Sequence, residues 1–435
     1  MEIKNSIQKK NPILLKAFVI GILTMLMLIP VTMVKSLVSE RQRSSESVRE
    51  EITAKWGKQQ QVTGPVLVVP YQKEKDLDNK PVTKLAYFLP EDYRIDGEIY
   101  PEERSRGIYQ VMCYKSDMQI NGSFNFPDIG QLNLINDTVL WNDAFLLIGI
   151  PDLQGIRNKI KFNVDGNARE ILASVIRNDI IHSGLTVKMP LNPENRQAFR
   201  FDFNLSLNGS DGLYFAPIGK QTSVHIKSDY KPVTFIGDFL PGTRSLDGPG
   251  FNAKWDIYDY NRNYAQMWTG PNPELQSSTL GVDLLLPIDH YQKNMRSAKY
   301  AIMFIALTFL VFFIVEIRSR RSIHPVQYLL VSFALVLFYS LLLAFSEHIG
   351  FDLSYLVSAV AIIALITAYS WSIFKKKKET LFMGVFLTLL YSFLYVIIQL
   401  EDMALLLGSV GLFIALASVM YASRNVNWDK REILG

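Results

Sequence analysis

Apolar residues along this chain are grouped rather than spread. Residues 13–34 read ILLKAFVIGILTMLMLIPVTMV, broken only by Lys16, Gly21, two threonines and Pro30. That is about the 20 residues a helix needs to cross a bilayer core. From 35 to 299 the apolar density drops and charge, Pro and Gly accumulate. Five further apolar stretches then follow in close order, at 300–317, 326–345, 353–374, 380–398 and 403–422. Each has a spanning length, so the pattern predicts six membrane helices, one N-terminal and five C-terminal.

Lys4, Lys9, Lys10 and Lys16 precede or enter the first stretch, and no small-residue cleavage pattern follows it. It reads as an uncleaved signal anchor. Loop charge sets the orientation. Arg318, Arg320 and Arg321 follow the second stretch, lysines 375–378 the fourth, and Arg424, Lys430 and Arg431 the sixth. The alternate loops, SEHIGFD at 346–352 and QLED at 399–402, hold no Lys or Arg. Basic loops stay in the cytoplasm, so both termini are expected there and residues 35–299 are expected on the periplasmic side.

Within 35–299 the period changes to two. RFDFNLSLNGS (200–210) sets Phe201, Phe203, Leu205 and Leu207 on one face, with Asp202, Asn204 and Ser206 on the other. This is the signature of a strand with one buried face. Asn208-Gly209 and Asn121-Gly122 read as tight turns, the second within MQINGSFNF (118–126). Helix-length crossovers are scarce, so the sheet is expected to be mainly antiparallel. A short leading helix is marked by Val48, Ile52 and Trp56 and by the pair Glu51 and Lys55, and it ends at Gly57. The fold expected is therefore an α+β membrane protein. Its parts are a cytoplasmic tail and signal-anchor helix (1–34), a large β-rich periplasmic domain (35–299), a five-helix bundle (300–423) and a cytoplasmic tail (424–435).

Composition narrows the chemistry. The 435 residues are 49% hydrophobic and 20% charged, and the net charge of +4 gives no reason to invoke nucleic acid. One cysteine, Cys113, allows no internal disulfide and no cysteine metal cluster. The five histidines are scattered, and each is better read as solvated or capping than as a ligand. No HExxH, GxSxG, P-loop or dinucleotide fingerprint occurs. The Ser-x-x-Lys matches at Ser6, Ser228 and Ser372 lack a companion KTG, so no catalytic residues, metal or cofactor are expected. Four N-x-S/T matches sit at expected turns and need no glycan. Glu316 is expected to pair with Arg318 or Arg320 at the inner interface, and Glu347 to be wet in an outer loop. FNAKWDIYDYNRNYAQMW (251–268) gathers Trp255, Tyr258, Tyr260, Tyr264 and Trp268, rings that serve either a sheet core or ligand contact.

Several segments together resemble the CreD family of bacterial inner-membrane proteins. They are LMLIPVTMVKSLVSERQ (26–42), WGKQQQVTGPVLVVPY (56–71), RGIYQV (106–111), LYFAPIGK (213–220), FIGDFLP (235–241) and GFNAKW (250–255). The membrane half adds PIDHYQKNMRSAKYAIMFIALTF (287–309) and IHPVQYLLVSFALVLFYSLLLAFSEHIGF (323–351). The resemblance covers essentially the whole chain in order. It implies a Gram-negative inner membrane and a part in envelope integrity or stress response, and it carries over no catalytic residues. The expected role is non-enzymatic. Its partners would be the lipid bilayer and an unidentified envelope protein, glycan or lipid bound by the exported domain. The alternative is a transporter or lipid-handling protein working through the C-terminal bundle.

Overall fold

Pro30 has no N–H to offer the Leu26 carbonyl, and the first helix changes character there. In the computed structural model, α1 (Pro12–Leu26) gives way at Met27 to α2 (Leu28–Trp56). Hydrogen bonds from Met27 N–H to Leu23 and from Val31 N–H to Met27, at 3.1 and 3.2 Å, carry the helix across the change. The structure describes residues 12–73, 82–134, 137–176, 178–246, 248–271, 275, 278–284, 290–319, 321–400 and 403–424. The expected tails at 1–11 and 425–435, with Ser6, Arg320, Lys430 and Arg431, lie outside the described residues.

The leading helix expected before Gly57 is the last part of α2. Gly57 ends it with φ +144°, and its N–H donates to the Thr53 carbonyl at 2.9 Å. A Cβ at Gly57 would sit 2.6 Å from the Asn208 carbonyl oxygen, so the position requires glycine for its space as well as its backbone.

Each later apolar stretch is a helix: α3 (His290–Ser319), α4 (Pro325–Ile349), α5 (Phe351–Phe374), α6 (Lys377–Gln399) and α7 (Ala404–Ser423). Local signals set their limits. His324 caps α4 by accepting from Val326 N–H at 3.3 Å, and Pro325 occupies the first turn, where its missing N–H is harmless. Gly350, φ +81°, separates α4 from α5, and Lys375 closes α5 in the left-handed conformation. Among the described residues, five helices are long and apolar enough to cross a membrane, namely Leu15–Trp56 and α3 to α6.

By internal packing the chain forms two compact units: Met1–Glu46 with Ile288–Gly435, and Ser47–Pro287. The helical unit is built on a core that includes Phe309, Phe312, Tyr328, Phe338 and Leu387. Rings there meet mostly edge to face, as Phe338 does with Tyr355 and Tyr391.

The second unit is a mixed-sheet domain. Its described strands form one ten-stranded and one eight-stranded sheet, and a single core joins residues of both. Most pairs are antiparallel, as expected. Two are parallel: Gln60–Lys73 with Gly212–Phe215, and Asp92–Arg106 with Gln221–Ser228. The strand Gln60–Lys73 is the hub of the larger sheet. It reads almost continuously apolar because it is covered on both faces, and Val62, Val66, Leu67 and Val68 are fully buried. Gln60 stands opposite Leu213, and Leu213 opposite Val282, so the entry and exit strands of this unit are one strand apart.

The two Asn-Gly turns are not turns. Asn121-Gly122 lies inside the strand Tyr109–Phe124, and Asn208-Gly209 inside Phe199–Ser210, paired residue for residue over twelve positions. Glycine is there to admit a neighbour. A Cβ on Gly122 would lie 2.7 Å from Phe201 Cζ, and one on Gly209 would lie 2.3 Å from Tyr114 Cζ. Tight turns of this sheet are Gly107-Ile108, between Arg106 and Tyr109, with Gly107 at φ +63°, and Asp165-Gly166, between Val164 and Asn167, at φ +48° and +80°.

Candidate functional site

The alternation in FNAKWDIY (251–258) sorts its rings. Phe251, Ala253, Trp255 and Ile257 are buried, and the intervening residues face out. Trp255 donates its indole N–H to the Phe239 carbonyl at 3.0 Å. Tyr264 is buried, donates its hydroxyl to the Pro217 carbonyl at 2.9 Å, and has that hydroxyl pushed up to about 12 by burial. Trp268 is half-buried and stacks on Tyr87. Of the five rings gathered in sequence, Tyr258 and Tyr260 reach solvent, 38% and 78% exposed. They stack at 5.3 Å with 9° between planes. The period of two that marks strand 200–210 holds here as well, and it could have separated Trp255 from Tyr258.

A polar concavity lies elsewhere, on the solvent face of the eight-stranded sheet, with a volume of about 710 Å³. Cross-strand register supplies its floor. One row runs Lys227, Glu98, Asp117, Ser206, and the next runs His225, Asp96, Gln119, Asn204. Glu98 and Asp117 face each other across adjacent strands, an unfavourable juxtaposition unless each is compensated. Lys227 lies 3.0 Å from Glu98 and Arg157 lies 3.3 Å from Asp117. The Lys227 hydrogen bond holds Glu98 below the usual carboxylate range, and Glu98 in turn raises Lys227. His225 bridges Asp96 at 3.2 Å and Asn252 at 2.8 Å. The sequence put Asn204 and Ser206 on an outward face but did not assemble the trough, because a row across four strands has no signature within any one of them.

Other chemistry-bearing residues are engaged structurally. Ser228 is buried, and its hydroxyl accepts from Tyr230 N–H at 3.3 Å. Cys113 is fully buried, and desolvation pushes its thiol up to about 11. Among the described residues, no group of three or more His, Cys, Asp or Glu side chains could hold a metal ion.

The helical unit corrects two expectations. Glu316 pairs with Lys16 of α1, and the carboxylate also accepts from Ile323 N–H at 2.6 Å and from the Tyr328 hydroxyl at 2.8 Å. At 1% exposure the carboxylate needs donors that converge on it. Lys16, Ile323 and Tyr328 provide them, so Glu316 does not depend on the expected arginines. Glu347 belongs to α4 rather than to a loop. It accepts from Tyr291 at 3.2 Å, with Arg41 at 4.0 Å, and is 10% exposed.

Several helices of spanning length and a large mixed-sheet unit in one chain define a multi-pass membrane protein of α+β class. A family model described as inner membrane protein CreD matches residues 12–429. The chain is 30% identical to the inner membrane protein CreD of Escherichia coli (strain K12), over 96% of this chain and 94% of that protein. It belongs to the CreD family of inner-membrane proteins.

Proposed function

We propose that this protein contributes to cell-envelope integrity or the envelope stress response by binding an envelope component through its sheet unit, rather than by catalysis. The reading takes α7 as a sixth span, places both termini in the cytoplasm and exposes residues 35–299 to the periplasm. The positive-inside distribution at 318–321, 375–378 and 424–431 supports that orientation. The observation that carries the binding role is the polar trough, with the exposed Tyr258–Tyr260 stack as a second contact surface. A strain lacking the protein tests it, complemented with full-length variants altered at Gln119 and Asn204 or at Tyr258 and Tyr260. Loss of envelope protection at normal protein levels is expected. Full protection by both variants would remove the binding role.

A second reading, transport or lipid handling by the helical unit, has its own observation. The hydroxyls of Ser297, Thr308, Ser358 and Thr367 are buried without hydrogen-bond partners among the described residues. Such groups favour water or a polar solute beside them. Solute or lipid movement in proteoliposomes, lost in Thr308→Val, would move the function from the sheet unit to the helices.

A further inference from the structure

The trough identifies its own ligand class by how its charges are spent. Asp96, Glu98 and Asp117 are each matched, by His225, Lys227 and Arg157. The three carboxylates face two permanent cations and a histidine, so the floor holds no excess positive charge for an anion, and its outward-facing rows are polar side chains beside the Tyr100 ring. What remains unspent is hydrogen-bonding capacity. Gln119 and Asn204 are exposed, stand directly opposite each other on adjacent strands, and make no side-chain hydrogen bond among the described residues. Each amide presents two donors and two acceptor lone pairs at once. Ser206 and Asn158, joined at 3.1 Å, continue the polar surface on one side, and the Tyr100 ring stands 45% exposed within the lining. The volume lies within the ~300–1,000 Å³ usual for small-molecule sites.

We propose that this trough binds a neutral N-acetylated glycan chain. The inference rests on the reading that the sheet unit is the exported, binding part of the protein. Hydroxyls along such a chain are donors and acceptors in alternation, suited to a surface of carboxylates that accept and amides that do both. An acetamido group matches the Gln119 and Asn204 amides donor for acceptor, and a sugar's C–H face suits the flat Tyr100 ring.

The test is calorimetric titration of the purified full-length protein in detergent micelles with a β-1,4-linked N-acetylglucosamine tetrasaccharide. Saturable binding is expected, with little change between low and high salt, because no net charge is neutralised. Gln119→Ala with Asn204→Ala should weaken it at least about tenfold, the loss of two net hydrogen bonds. Both residues face solvent, and an unchanged thermal unfolding midpoint would show that the fold survives. Absence of saturable binding, binding abolished by salt, or equal binding by the amide double variant would each overturn the proposal. The outcome also separates this proposal from the reading beneath it. If the tetrasaccharide fails to bind but the trough variants lose envelope protection, the glycan is wrong and the binding role stands. If the tetrasaccharide binds as expected but those variants protect fully, the glycan site stands and the envelope role assigned to it falls.

Discussion

Glu316 in the helical unit and Glu98 in the sheet unit are each paired with a lysine, and the two pairs differ in almost everything else. Glu316 is 1% exposed and gathers Lys16, a backbone N–H and a tyrosine hydroxyl. Glu98 lies on an open face, and Lys227 beside it is half in water, at 52% side-chain exposure. In an apolar interior a carboxylate persists only with its partners assembled, whereas on a wet surface the solvent supplies whatever a partner does not. The helical unit therefore spends its ion pair on fixing α1, α3 and α4 in register. The sheet unit leaves its ion pairs in contact with solvent.

That contrast is breakable, most sharply at Glu316. Glu316→Ala strands the Lys16 ammonium, and the expected cost is about 3–5 kcal/mol, read by equilibrium unfolding in mild detergent. A loss below about 1 kcal/mol would mean that the pair is solvated like Glu98, and the comparison would fail. In the sheet unit, the equivalent damage should require an apolar truncation. Phe203→Ala, in a stack with Phe162 at 5.1 Å, should cost about 3–5 kcal/mol. Tyr328→Phe keeps the ring against Phe309 and removes one donor to Glu316, for about 1–3 kcal/mol. Asn204→Ala, on the open face, should change stability by no more than about 0.5 kcal/mol, so any larger effect would show that the trough is structural. Finally, Cys113 should resist a maleimide at pH 8 in the native protein and react only on unfolding. Its raised pKa keeps the thiol protonated there, and its burial denies access.

The helical unit was legible in sequence because a bilayer demands about 20 apolar residues in a row, a constraint written locally. Strand 199–210 was legible for a similar reason, since Phe201, Phe203, Leu205 and Leu207 must share a face. What escaped was everything that depends on a distant partner. Lys16 and Glu316 are 300 residues apart. The glycines at 122 and 209 look like turn formers, because the feature that permits positive φ, a missing Cβ, also lets Phe201 or Tyr114 close in. The trough was the least legible part. Residues 96, 119, 204 and 225 become neighbours only through register, and each alone is an ordinary outward-facing strand residue. Trp255 escaped differently, since its burial was readable from alternation but was masked by the density of rings around it.

The row Gln60, Leu213, Val282 has a consequence for the sheet unit as an object in its own right. Two inter-strand spacings put the first and last strands about 10 Å apart. A short peptide bridge between those strands, with a new opening at the Gly107-Ile108 hairpin tip, would give a circularly permuted chain with the same pairings. The unit thus has no privileged beginning.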